Sequence, residues 1–300
     1  MAAKSFPLRF ELSRVGYDPF IDFLKGMCIV LIVLNHCIPM DLRSLIGFPI
    51  WGSPAVPIFL IIQVFHFYKK GLNAVKLNYR KVWRRIVKPF LIVELFILLV
   101  LLCSFWSGND HAVPSVKEGV YMLTGGPGSY YPWIYLQFAI LLPVFRPIFK
   151  YKNAYSILFI FILLSQLVEV LCVVCLIPEW FYRLIFFRYV FLIYLGYILA
   201  SKGYVLTMPI VLLSIISLVI TIVFVYAPIE SIPFCYHVEA WSTCHWICYI
   251  YMAFFMMTFL YVVYSRIPNH PFTILVKKMG VYSYEIYLIQ LLFFTLISQI

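Results

Sequence analysis

Apolar side chains dominate nine stretches of this chain, at about 20–39, 50–68, 89–106, 132–149, 154–177, 184–200, 207–227, 244–264 and 281–299. Each is roughly 17–25 residues long, the length an α-helix needs to cross a hydrocarbon core. A lone segment in lipid must satisfy its own backbone polar groups, so helix is the predicted element for all nine. Barrel strands would alternate at every second residue over about ten positions, and these runs are too long and too uniformly apolar for that. The pattern predicts an all-α fold, a polytopic membrane helix bundle of about nine spans, with residues 1–300 forming a single membrane-embedded domain.

Composition and charge add a solvent and an orientation. The chain is 64% hydrophobic and 12% charged, against about 25% charged in an ordinary globular domain, and one soluble core could not hide that much apolar surface. A net charge of +11 would suggest nucleic acid in a soluble protein. Here the cations sit between apolar runs, which points to membrane orientation and to membrane lipid, not nucleic acid, as the partner. With residues 1–19 inside, inside segments hold eighteen of the 23 Lys and Arg. Outside segments hold Arg43, Lys117, Arg183 and Arg188, and Lys25 lies within the first run. The expected protein is multi-pass in the cell inner membrane, amino terminus cytoplasmic and carboxyl terminus outside. The first run lacks a small-residue cleavage site and reads as a signal anchor. Most of the eight cysteines fall within runs, where a thiol packs as a small hydrophobe. Cys172 and Cys175 have CxxC spacing, but at lipid depth redox or zinc chemistry is not expected of them. Cys235 and Cys244 either pair across an oxidising outer face or stay free.

Chemistry is sought where polar groups sit inside spans, because each costs about 2.5–3.5 kcal/mol on insertion scales. The first run is the richest. Asp22 and Lys25 stand three apart on one helical face, where they pair, and Gly26 lets another helix approach closely. His36, preceded by Asn35, lies eleven residues past Lys25, roughly 16 Å along a helix. A neutral imidazole there is a candidate general base. The alternative is an interfacial histidine held by Asn35 and solvent.

Asp22-x-x-Lys25-Gly26, a long aliphatic stretch and then Asn35-His36 resembles the opening of the integral-membrane acyltransferase type three family, which includes O-acetyltransferases of bacterial surface polysaccharides. Further matches follow in order. They are Val64-Phe65-His66-Phe67-Tyr68-Lys69-Lys70-Gly71, Tyr79-Arg80-Lys81-Val82-Trp83-Arg84-Arg85-Ile86-Val87-Lys88-Pro89, and Tyr131-Pro132-Trp133-Ile134-Tyr135-Leu136. Leu195-Gly196-Tyr197 and Gly280-Val281-Tyr282-Ser283-Tyr284-Glu285-Ile286-Tyr287-Leu288 complete the series. The resemblance covers essentially the whole chain. It implies transfer of an acyl group from a cytoplasmic donor, typically acetyl-CoA, to a carbohydrate acceptor, with His36 catalytic and no metal. His36 would take a proton from an acceptor hydroxyl, by direct transfer or through an acyl-enzyme.

The link from Lys69 to Lys88 holds eight basic residues and no acidic one. If 80–88 is α-helical, Lys81, Arg84, Arg85 and Lys88 share one face. That face suits the phosphates of coenzyme A; the plain alternative is a loop that fixes topology and touches anionic lipid. The family's Arg-x-x-Arg is here Lys81-x-x-Arg84 with an extra Arg85. Glu94 and Glu169 need partners or protonation at depth, and Glu94 is placed near Lys25 or Arg85. Arg188 either faces the acceptor or pairs with Glu169 or Glu179. Tyr130, Tyr131, Trp133 and Tyr135 read first as an interfacial belt and second as a sugar platform. Gly125-Gly126-Pro127-Gly128 is not a phosphate loop, and Cys235, His237, Cys244, His245 and Cys248 match no standard zinc spacing. Family members commonly have ten spans and a histidine where Gln290 stands, and glutamine cannot carry a proton as imidazole does. The rival readings are a transporter or flippase for a lipid-linked sugar, for which no internal repeat is visible, and an inactive partner of a polysaccharide synthase.

Overall fold

The computed structural model describes residues 8–10, 18–69, 79–106, 130–150, 154–202, 204–206, 208–226 and 246–297. Lys117, the 125–128 glycine run and Cys235, His237, Cys244 and His245 lie outside them, as does the side chain of Cys248.

All nine apolar runs carry helix. α1 spans Pro19–Cys37. Asp18 caps it by accepting from the Phe20 amide at 3.0 Å, and Pro19 fits the first turn because its missing N–H has no intrahelical partner there. Its other end is set by Pro39, which forces Ile38 into extended backbone (φ −83°, ψ 127°). The short α2 (Met40–Leu45) and α3 (Phe48–Trp51) follow, joined through Gly47 at φ 65°. α4 is Ala55–Tyr68. The second run was expected as one span over 50–68; Gly52 and Pro54 break it, leaving 14 helical residues, roughly 21 Å.

α5 (Tyr79–Val82) leads through a π-helical turn at Trp83–Val87 into α6 (Lys88–Trp106). α7 is Tyr130–Phe145 and α8 is Ala154–Val174. α9 (Glu179–Arg183) and a 3-10 turn at Phe186–Tyr189 precede α10 (Val190–Lys202). α11 (Met208–Tyr226), α12 (Trp246–Arg266), α13 (Pro271–Val281) and α14 (Ser283–Ile297) complete the bundle.

α1 is the central helix, packed against α4, α12, α13 and α14. Its tightest partner is α13, within the link 265–280 that charge assigns to the cytoplasmic side. A Cβ added at Gly26 would lie 1.9 Å from the Val276 carbonyl oxygen, and one at Gly280 would lie 1.7 Å from that of Asp22. The crossing therefore exists because both positions lack a side chain. Gly196 of α10 likewise admits the Ile61–Val64 turn of α4. A departure from all-helix is a three-residue antiparallel pairing, β1 (Leu8–Phe10) with β2 (Tyr204–Leu206). It joins two segments that the charge count assigns to one side.

Among the described residues one helix, Pro19–Cys37, is long and apolar enough to cross a membrane, accompanied by seven shorter apolar helices. Large apolar side chains stand exposed along α6 (Ile92, Leu95, Leu99), α8 (Phe159, Leu163, Leu167) and α11 (Leu212, Ile215, Val219). Exposed apolar faces of this extent mark contact with lipid or another protein.

Candidate active site

α1 carries the two ends of the site. At its start Asp22 is buried and holds Lys25 at 2.5 Å, the i, i+3 pair expected from the sequence. On the neighbouring helix His66, in the last turn of α4, is exposed and lies within electrostatic reach of Lys69, Lys25, Asp22 and Lys81. Three elements thus bring cations to one mouth. His66 was not singled out from the sequence, although its place one turn before Lys69 marks a basic helix end.

The expected α-helical stripe over 80–88 is not what forms. The π turn at Trp83–Val87 has i→i+5 bonding, so more residues fit in each turn and the i, i+3, i+4, i+7 register is lost. Lys81 lies within electrostatic range of His66, Arg85 within that of Tyr135, and Lys81, Arg84, Arg85 and Lys88 are all exposed. The Tyr284 hydroxyl, donating to the Ile86 carbonyl at 2.8 Å, ties this turn to α14.

At the far end His36 sits in the last turn of α1, half-buried. Its ring centroid is 5.2 Å from that of Phe294 on α14, and Arg43 acts on it electrostatically. Arg43 is held by its Nε donating to the Ile38 carbonyl at 2.7 Å. Asn35 is half-buried beside it.

Between the two ends runs a seam of α1, α4, α6, α7 and α14. It contains Ile29 and Ile32, Phe59, Phe90 and Val93, Tyr131 and Trp133, and Tyr284, Tyr287 and Leu288. The Tyr131 ring lies 5.9 Å from Phe59, 6.1 Å from Tyr135 and 5.5 Å from Tyr287, and Trp133 meets Phe90 edge-on at 5.7 Å. These half-buried aromatics pack against neighbouring helices on one side of α7. Glu94 is also in this seam, within electrostatic range of Tyr287. It makes no pair with Lys25 or Arg85, and neither carboxyl oxygen has a hydrogen-bond partner among the described residues.

Arg188 is buried in the 3-10 turn before α10, within electrostatic range of Tyr130 on α7. Its guanidinium lies 5.3 Å from the Tyr182 ring centroid and 5.5 Å from that of Tyr189. The Tyr182 hydroxyl donates to Glu169 Oε2 at 3.3 Å. Arg188 thus lies against two tyrosine rings, one of which reaches Glu169. The described cysteines, Cys28, Cys37, Cys103, Cys172 and Cys175, are free thiols.

No curated protein and no solved structure matches the chain. A family model described as an acyltransferase domain matches residues 18–300. The match begins at Asp18, the cap of α1, and runs through the α14 segment that meets His36. The chain belongs to the acyltransferase type three family.

Proposed function

We propose that this acyltransferase is a multi-pass inner-membrane O-acetyltransferase, amino terminus cytoplasmic, that moves acetyl from acetyl-CoA to a hydroxyl of a cell-envelope or secreted polysaccharide or its precursor. The observation that carries this is the division of labour along α1. Cations from α1, α4 and α5 gather at one end, and the imidazole stands at the other. Lys25 and His36 are roughly 16 Å apart along the axis, a span matched to the extended pantetheine arm between the phosphates and the thioester of coenzyme A. Phosphates anchor at Lys81, Arg84, Arg85 and Lys88 with Lys25, Lys69 and His66 behind them. Asp22 and Lys25 steady the mouth, and Asn35 flanks the base.

In the transfer, His36 removes the acceptor hydroxyl proton as the oxygen attacks the thioester carbonyl. The new C–O bond forms, the C–S bond breaks, and the proton passes from the imidazole to the departing thiolate. No metal takes part. Exposed apolar faces on α6, α8 and α11 support the membrane setting.

His36→Ala, expressed in cells and assayed by mass analysis of envelope glycans, should lower acylation by about 10²–10⁴-fold while the purified protein keeps its thermal midpoint. Unchanged acylation with sugar export lost would turn the reading toward transport.

A further inference from the structure

Polar groups that a fold uses for its own stability are normally hydrogen-bonded, so buried groups left open point to something the folded chain is built to receive. Three such side chains border one seam. Glu94 of α6 is 9% exposed, Gln63 of α4 8% and Gln290 of α14 5%. Both Glu94 oxygens, Gln63 Oε1 and Gln290 Oε1 have no partner among the described residues.

Their neighbours join them to the seam's tyrosines. The Gln63 amide donates to the Tyr135 carbonyl at 2.9 Å, which turns its oxygen to the other side. Glu94 lies within range of Tyr287, and Gln290 follows Tyr287 by three residues on α14, one turn before the Phe294 that meets His36. The four open atoms on these three side chains are carbonyl or carboxyl oxygens. A ligand that satisfied them would bring N–H or O–H donors into an otherwise aromatic seam.

Height along the helices narrows the ligand. Glu94 is six residues beyond Lys88 on α6, roughly 9 Å, so it stands past the cationic mouth and short of the level of His36. A lipid acyl chain brings no donors. A sugar acceptor has them, but its hydroxyl must meet the thioester at the His36 end. A pantetheine arm reaching from the cationic mouth to His36 would cross this interval, and it carries one hydroxyl and two amide N–H groups on an otherwise apolar chain.

We propose that Glu94, with Gln63 and Gln290, forms the hydrogen-bonding subsite for the hydroxyl and amide N–H groups of the donor's pantetheine arm. The inference rests on the acetyl-CoA reading above and deepens it. Glu94 acts as a positioning residue: it holds the arm in register so that the thioester arrives opposite His36.

The test uses the full chain in lipid nanodiscs and two probes, coenzyme A and adenosine 3′,5′-bisphosphate, which has phosphates but no arm. Glu94→Met should weaken coenzyme A by about two- to tenfold, the loss of a hydrogen bond, and leave the bisphosphate unchanged. Glu94→Gln, which keeps one acceptor oxygen, should fall between. Thermal midpoints at or above wild type exclude misfolding. Unchanged coenzyme A affinity, or equal weakening of both probes, would overturn the subsite. If wild type bound the bisphosphate as tightly as coenzyme A, the arm would contribute nothing: the subsite would fail and the phosphate site would stand. If wild type bound neither, the donor reading would fail and take the subsite with it.

Discussion

Two seams in this bundle treat buried polar groups in opposite ways. Between α11 and α12, Ser214 and Thr258 hydrogen-bond across the helices at 2.9 Å. Ser217 and Thr221 donate to the carbonyls four residues back, Leu213 and Ser217, at 2.6 and 2.8 Å. Polar atoms there are absorbed into the fold. Between α6, α4 and α14, the oxygens of Glu94, Gln63 and Gln290 stay open. Both seams are buried and helical, so depth alone does not distinguish structure from function. What distinguishes them is side-chain reach. Ser and Thr are short enough to bond back to their own helix, whereas Glu and Gln extend away from it and are satisfied only by what comes to meet them.

The seam depends on the crossing of α1 with α13 beneath it, and the largest effect should come from closing that crossing. In Gly280→Leu the new Cβ falls 1.7 Å from the Asp22 carbonyl oxygen. Backbone, not the tip of a flexible side chain, must then move. Overpacking of side chains alone costs about 1–3 kcal/mol, and this change should exceed that range. The expected outcome is little or no monodisperse protein in detergent, with α1 displaced and Asp22, Lys25 and His36 moved together. Normal yield and an unaltered thermal midpoint would mean that α1 and α13 do not cross as described.

The next effect carries the opposite sign. If Glu94 is held open for a ligand, then in the empty protein it only destabilises. Glu94→Met keeps the length and removes the unpartnered carboxyl, and should stabilise the ligand-free protein by about 1–3 kcal/mol, read as a higher thermal midpoint in detergent. Gln290→Leu should act in the same direction. Adding coenzyme A should raise the midpoint of wild type and narrow its gap to Glu94→Met. A lower midpoint for Glu94→Met would assign the carboxyl an internal partner and erase the contrast between the seams.

Much of this arrangement was legible in the chain, and what was not has identifiable causes. Asp22 with Lys25 was readable because i, i+3 spacing fixes both residues on one helix face, and Gly26 because a missing Cβ beside a charged pair invites a neighbour. Which helix approached was not readable: its other half, Gly280, is more than 250 residues away in sequence, and the motif that Gly280 opens does not say which helix it meets. The stripe through Lys81, Arg84, Arg85 and Lys88 assumed 3.6 residues per turn, and a single π turn undoes that register. The packing of Tyr131 and Trp133 against neighbouring helices was hidden for another reason, since tyrosine and tryptophan suit both a membrane interface and a seam that receives a polar ligand. Gln63 went unnoticed as one amide in a strongly apolar run. His36 stood out by its isolation in the first run and by the family motif around it, and the structure adds the Phe294 ring and Arg43.

The smallest effect tests the satisfied seam. Thr258 Oγ1 donates to the Phe254 carbonyl at 2.9 Å and meets Ser214 at the same distance. Thr258→Val preserves the β-branched shape and removes the hydroxyl. Ser214 then has an alternative, because a serine on a helix can turn to the carbonyl four residues back, as Ser217 already does. Interhelical hydrogen bonds in membrane bundles average about 0.6 kcal/mol, so a double-mutant cycle with Ser214→Ala should return a coupling of that order. Acyl transfer and coenzyme A affinity should not change, since α11 and α12 present no open oxygen of this pair to the His36 side. A several-fold loss of transfer in Thr258→Val would show that a hydrogen-bonded seam can also carry function, and satisfaction of polar groups would then cease to separate scaffold from site.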